Sequence, residues 1–303
     1  MATAQNPNKY WLRLIAFAMV LFLCATIFVL LYLGQLQLDV FITPKRNPNI
    51  GTLDALNRPY QDVELTANDG LKISGWYVPG GRSQAIVLVH GIDANRQAVV
   101  PEAKILSEAG YHVLLIDLRA HGLSEGTQAT YGYREAWDVQ AAVDFLADLP
   151  EVDQIGALGT SFGGAAVARA AAIDPRLQAV VIESSYSSLP EAVEDAFEDL
   201  SIFPKWPFAP LFISLAERRV GLKIGQVNSA RDLATISPRA VMIIHGSADD
   251  LFPLPHAQRM FNAAEEPKEL WVIEGMTHSN PAAEQEAEFK ARVLPFFENA
   301  FGE

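Results

Sequence analysis

The sequence predicts an α/β fold: an eight-stranded, mostly parallel sheet with helices on both faces, preceded by one transmembrane helix. Three observations predict it. From about residue 85 onward, short Val- and Ile-rich runs alternate with helical stretches, the pattern of a parallel sheet covered on both faces. A serine between small residues, Ser161, stands where one of those runs passes into a helix. Near the N-terminus, Leu14 to Leu33 is a run of twenty residues without a charge, and at 1.5 Å per residue such a run crosses the roughly 30 Å hydrocarbon layer.

The N-terminal elements come first. Residues 1–11 read as a short tail and residues 12–33 as a single-pass membrane helix, flanked by Tyr10, Trp11 and Tyr32 where aromatic belts form. A cleaved signal peptide has a shorter apolar region and a small-x-small cleavage site, neither of which is evident. Cys24 is the single cysteine, so no intramolecular disulfide reports on the redox compartment. It reads as an apolar filler facing lipid, since the bulky Leu21-Phe22-Leu23 before it disfavours a lipobox. Lys9 and Arg13 precede the helix while Lys45, Arg46 and Arg58 follow it. The positive-inside rule then gives a slight preference for a cytoplasmic tail and an exported soluble part. Residues 34–59, with Pro44, Pro48 and Pro59, read as a juxtamembrane linker.

The soluble part, residues 60–303, opens with a hairpin. Two strand-like runs, Val63 to Thr66 and Lys72 to Tyr77, flank Asn68-Asp69-Gly70, a sequence suited to positive φ in a tight turn. Six further runs follow: Ala85 to Val89, Val113 to Leu118, Ile155 to Leu158, Ala179 to Ile182, Val241 to Ile244 and Leu270 to Ile273. Helical stretches near Gln97 to Ala109, Arg134 to Leu149, Phe162 to Ile173, Pro255 to Ala264 and Ala283 to Asn299 separate or follow them. The segment at about 186–237 interrupts the alternation and reads as a lid-like insertion over the carboxyl edge of the sheet, where open α/β sheets bind ligands. Its prolines at 204, 207 and 210 argue against a regular helix there. Phe203, Trp206, Phe208 and Phe212 either line an acyl pocket or pack the insertion onto the sheet.

Composition excludes some partners. A formal charge of −13 over 303 residues is the wrong sign for a nucleic-acid binder and for broad adhesion to an anionic bilayer surface. No H-E-x-x-H or cysteine–histidine cluster is present, so neither a metal nor another cofactor is implied.

The chemistry gathers around Gly159-Thr160-Ser161-Phe162-Gly163, which fits G-x-S-x-G at a strand-to-helix junction. There a sharp turn exposes the serine hydroxyl, and small neighbours let strand and helix pass closely. A hydroxyl is a poor nucleophile until a base removes its proton. In this architecture the partners follow in the order Ser, acid, His. Asp249, just after the late strand Val241 to Ile244, is the acid, with Asp250 its rival. His278, in the loop after Leu270 to Glu274, is the base. His256 also follows the acid, yet Pro253 and Pro255 place it at a helix start, where it reads as a surface or capping residue. The oxyanion requires two backbone donors, assigned to Phe162 N–H and to Ile92 N–H in the loop His90-Gly91-Ile92.

With these residues in place, residues 60–303 resemble the α/β-hydrolase superfamily. Asp117-Leu118-Arg119-Ala120-His121-Gly122-Leu123-Ser124 looks like that superfamily's D-x-R-G-H-G-x-S segment, with Ala120 in place of the usual glycine. Asn68-Asp69-Gly70 and Gly75-Trp76-Tyr77-Val78-Pro79 are similar to membrane-anchored, Bem46-like members. The resemblance implies Ser161, Asp249 and His278 as a triad, with Ile92 and Phe162 as oxyanion donors. The superfamily's members include esterases, lipases, thioesterases and peptidases, so the resemblance leaves the substrate open, and the first reading is hydrolysis of an ester or thioester of a small-molecule or acylated substrate. A peptidase or amidase on the same triad is the alternative, and an inactive anchored binding protein the reading from a different class.

Overall fold

The structure is a computed structural model and describes residues 7–199, 204–278 and 280–302. The chain divides into a unit that ends at Phe41 and a larger one that begins at Ile42. The first is built on helix α1, Pro7–Ile42, whose stretch Tyr10–Ile42 contains an 18-residue window of mean hydropathy 3.0 and is long and apolar enough to cross a membrane. The helix runs nine residues past the expected end at Leu33, into the expected linker. Beyond Gly34, the stretch Gln35-Leu36-Gln37-Leu38-Asp39 contains no strong breaker. Pro44 then disfavours helical backbone at Thr43.

The larger unit has strands β1 Gln61–Thr66, β2 Lys72–Val78, β3 Gln84–Val89, β4 His112–Ile116, β5 Gln154–Thr160, β6 Leu177–Glu183, β7 Ala240–Gly246 and β8 Lys268–Ile273. Its helices are α2 Val100–Glu108, α3 Glu135–Ala147, α4 Phe162–Ile173, α5 Leu189–Asp199, α6 Lys205–Val220, α7 Ser229–Leu233, α8 Pro255–Ala263, α9 Pro281–Glu284 and α10 Glu286–Phe301. The strands form one eight-stranded sheet in the order β1-β2-β4-β3-β5-β6-β7-β8. β2 pairs antiparallel with β1 and β4, and every other pairing is parallel. The α/β class, the eight strands and the mostly parallel sheet are as the sequence predicts. The hairpin turns at Gly70, whose φ is 87°.

Alternation along β3 divides the core. Ala85, Val87 and Val89 pack on one face with Val139, Ala166 and Met260. Ile86 and Leu88 pack on the other with Ile105, Leu106, Phe289 and Phe297. That period of two lets helices cover both faces of the sheet. The chain leaves β3 for β4 on one side and later returns to β5 on the other. The loops after β3 and β5 therefore flank a topological switch point, where such sheets form their ligand crevice.

The insertion corrects one expectation. Its proline-rich stretch is helical in α6, with a non-helical break at Trp206 (φ −104°, ψ 132°) and Pro210 inside. After that break Pro207 stands in the first turn, where N–H groups have no intrahelical acceptor, and Pro210 removes one bond at that turn's close.

Beside the crevice, Asp117 ties three segments together and is fully buried. Its carboxylate accepts from Arg96 N (2.7 Å), Arg96 Nη2 (2.8 Å) and Leu123 N (2.9 Å). Asp117→Ala strands a buried guanidinium and two backbone donors, so it is expected to cost about 3–5 kcal/mol. Urea unfolding of the full chain in detergent measures this; a loss below about 1 kcal/mol would contradict it.

Candidate active site

Thr160 closes β5 and Phe162 opens α4, so Ser161 makes the turn alone, at φ 55° and ψ −121°. Such backbone costs on the order of 1–3 kcal/mol for a residue with a Cβ, so its surroundings must hold it. Ser161 N donates to Glu183 O at 2.7 Å, and Gly164 N donates to Ser161 O at 2.9 Å. The motif's glycines are required by contact. A Cβ on Gly159 would lie 2.4 Å from Gly163 O, and one on Gly163 would lie 2.5 Å from His90 O. Strand, helix and the β3 loop thus converge with no room for a methyl group.

Across the crevice His278 Nε2 lies 3.1 Å from Ser161 Oγ, and His278 Nδ1 lies 2.8 Å from Asp249 Oδ2. A carboxylate accepts, so Nδ1 carries the proton and Nε2 is free to take one from the hydroxyl. Asp249 Oδ1 accepts from Leu251 N (3.0 Å) and Phe252 N (2.9 Å). Burial raises the Asp249 pKa, but the His278 hydrogen bond and the Phe252 N–H outweigh it and leave it below its ordinary value. Asp249 therefore stays ionised. Asp250 is exposed.

Other histidines take supporting places. His245 is fully buried and its Nε2 donates to Phe252 O at 2.7 Å; burial lowers its pKa and keeps it neutral. It thereby props the turn that carries Asp249, a role chain order alone did not reveal. His256 is not at the surface: it is fully buried, with Ser187 Oγ 2.8 Å from Nδ1 and Asp195 Oδ2 2.9 Å from Nε2. It joins α8 to α5.

On the other side of Ser161, a Cβ on Gly91 would lie 3.3 Å from Ser161 Cβ, which places the Ile92 loop against that serine. Leu118 N donates to His90 Nε2 at 3.1 Å, so His90 Nδ1 bears the proton and donates to Gly91 O at 2.6 Å. Burial pushes the His90 pKa down to about 4, which keeps this neutral tautomer. Ile92 packs half-buried against the core. Phe162 N–H lies in the first turn of α4, where the helix offers no acceptor.

Aromatic rings surround these groups, and sequence reasoning missed most of them. Phe252 stands edge-on to His278 at 5.4 Å and to Tyr186 at 5.1 Å. Tyr131 stands edge-on to Phe162 at 5.5 Å. They sit in loops without periodicity, so no local signal marks them. Of the insertion aromatics, Phe203 lies outside the described residues. Trp206 is 79% exposed, Phe208 is half-buried, and Phe212 packs edge-on against Phe197 at 5.7 Å.

Two buried carboxyl groups lie near the elbow. Thr160 Oγ1 donates to Glu183 Oε1 at 3.4 Å, and Asn280 Nδ2 donates to Glu102 Oε1 at 2.6 Å. Among the described residues Glu102 Oε2 and Glu183 Oε2 have no hydrogen-bond partner. Burial pushes Glu102 up to about 7. Burial and the neighbouring Glu102 raise Glu183 well above its ordinary value.

The arrangement of sheet and elbow defines an α/β hydrolase. Residues 84–207 match the family described as alpha/beta hydrolase fold, and the chain belongs to the α/β-hydrolase superfamily. An uncharacterized protein of Mycobacterium tuberculosis is 32% identical over 228 residues, 73% of each chain. The uncharacterized protein YfhR of Escherichia coli is 24% identical over 255 residues, covering 79% of this chain and 81% of its own length. Among solved structures, the esterase Pf2001 of Pyrococcus furiosus superposes with a TM-score of 0.72 and 26% identity, covering 85% of this chain and 99% of its own.

The raised Glu102 pKa fixes a sign for pH. An acid whose folded pKa lies above its unfolded value contributes stability that is present below the ordinary 4.5 and lost as pH rises through about 7. Between pH 4.5 and 8 the loss from Glu102 is on the order of 3 kcal/mol. Glu102→Gln is expected to flatten that part of the urea-stability profile, and a profile parallel to wild type would contradict the assignment.

Proposed function

We propose that the protein is a membrane-anchored serine hydrolase that cleaves carboxylic esters or thioesters through an acyl-enzyme intermediate. The observation that carries this reading is one imidazole held 3.1 Å from Ser161 Oγ and 2.8 Å from a buried, ionised Asp249. Ser161 Oγ attacks the carbonyl carbon while His278 Nε2 takes its proton, and the carbonyl electron pair moves to oxygen. Asp249 fixes the imidazole tautomer and stabilises its positive charge. The N–H groups of Phe162 and Ile92 receive the oxyanion. As the tetrahedral intermediate collapses, His278 returns the proton to the departing alcohol or thiol. Water then repeats the sequence on the acyl-serine and releases the acid.

The esterase Pf2001 supports carboxylic ester chemistry over amide chemistry. The geometry of Ser161, His278 and Asp249 argues against an inactive binding protein. The apolar α1 supports anchoring, with the slight charge preference for an exported catalytic domain. An anchored site suits small-molecule or acylated substrates.

In the full chain in detergent, a fluorophosphonate probe is expected to label wild type and not Ser161→Ala. On p-nitrophenyl esters Ser161→Ala and His278→Ala are expected to lower kcat by about 10⁴-fold or more. Asp249→Asn is expected to lower it by about 10⁴-fold through the wrong tautomer. Labelling that survives Ser161→Ala, or none from a folded wild type, would overturn the proposal.

A further inference from the structure

The stretch that follows α1 is bonded to the site. Ile42 O accepts from Ala129 N at 2.8 Å. Lys45 N donates to Asp93 Oδ1 at 2.7 Å. Arg46 Nη2 donates to Ser124 O at 2.7 Å and Gly126 O at 2.8 Å, and its Nε donates to Ala120 O at 3.4 Å. Asn95 Nδ2 donates to Asn47 O at 3.1 Å.

These bonds fall on both loops that frame the oxyanion position. Ile92 stands between Gly91, whose carbonyl His90 holds, and Asp93. Asp93 N donates to His121 Nε2 at 3.3 Å, while His121 Nδ1 donates to Arg119 O at 2.8 Å. The Asp93 carboxylate belongs to the strap bond from Lys45 N. Asp93 and Ala120 also hold left-handed backbone, at φ 57° and 63°, a conformation that persists in residues with a Cβ when surrounding contacts over-determine it. The bonds from residues 45 and 46 land on these same two residues.

We infer that residues 43–47 form a strap that positions the oxyanion loop, with Arg46 and Asp93 as positioning residues for the reaction at Ser161. The inference rests on Ile92 N–H being an oxyanion donor, as proposed above. A donor on a loop contributes to the transition state only if it is already aimed where charge develops. The strap closes Asp93 from one side and the Ala120 loop from the other, so Ile92 is held between fixed neighbours.

The test uses the full chain in detergent. Arg46→Ala, Arg46→Lys, Asp93→Ala and Asp93→Asn are compared for kcat and KM on p-nitrophenyl butyrate. Amide hydrogen exchange across residues 90–96 and 118–126 is followed by mass spectrometry. Loss of an interaction made only in the transition state lowers kcat and spares KM. Arg46→Ala and Asp93→Ala are therefore expected to lower kcat about tenfold, with KM within about twofold. Arg46→Lys recovers part of the loss. Asp93→Asn recovers most of it, because its amide oxygen still accepts and asparagine tolerates left-handed backbone. Exchange in 90–96 quickens in the two alanine variants while β5 and β6 stay protected. An unchanged kcat in both alanine variants overturns the inference, whatever the exchange shows. A wild type without Ser161-dependent labelling would instead defeat the serine-hydrolase reading. Exchange alone then decides the strap: faster in Arg46→Ala supports it, equal rates remove it.

Discussion

Ser161 holds its backbone at φ 55° and ψ −121°, and the rest of the site is arranged so that it stays there. The turn is one residue long, so the last strand residue and the first helix residue lie within reach of each other. Gly159 and Gly163 are glycines because their neighbours' carbonyls occupy the space of a Cβ. The parallel pairing of β5 with β3 and β6 brings those neighbours in. β6 supplies the Glu183 carbonyl that fixes Ser161 N, and β3 leads into the His90 loop that closes on Gly163. A strained turn at the sheet's switch point thus recruits both flanking strands. The strain is offset by core packing some distance from the hydroxyl it turns toward His278.

Charge near that hydroxyl follows the same economy of placement. Asp249 is the ionised carboxylate that meets His278, and its second oxygen is filled by two backbone donors. Glu102 and Glu183 lie close by, neither in an ion pair among the described residues, and burial raises both. In the proposed reaction a protonated carboxyl puts no negative charge beside the oxygen that becomes negative, whereas an ionised pair would oppose the oxyanion assigned to Phe162 and Ile92. The site therefore separates one charged acid, where it helps, from two acids that burial holds toward neutrality. His245 and His90 are treated likewise: both are buried and neutral, and each spends its single ring proton on a carbonyl that shapes a loop.

The fold was legible in the sequence where physics is local. β3 and β5 to β7 are continuous apolar runs because both faces are covered, and the hairpin turn is written in Asn68-Asp69-Gly70. Ser161, Asp249 and His278 were legible because strand ends and chain order restrict the candidates, and the structure brings these three together. Reading failed where distant partners decide. His256 does stand at a helix start, but it reads as a surface residue, whereas Ser187 and Asp195, 69 and 61 residues away, bury it. The prolines near 207 looked like breakers throughout, but at a first turn they cost little. The insertion aromatics stood between pocket lining and packing in the sequence; Trp206 is exposed and Phe212 packs against Phe197.

The segment after α1 shows that limit most sharply. Proline and asparagine content reads as a linker because it shows no periodicity, and periodicity is what a sequence displays. Its order comes instead from hydrogen bonds to residues 48 to 80 positions away. Ala120, the one departure from the family's glycine pattern, keeps positive φ with its N–H given to Glu125 O and its carbonyl approached by Arg46. A Cβ at a position that favours glycine costs about 1 kcal/mol, so these two partners replace conformational freedom with fixed contacts. A slack tether would leave the hydrolase domain's loops independent of what precedes them. Here the chain is pinned at residues 42, 45, 46 and 47, each to the loops beside Ser161 or to the segments that frame them.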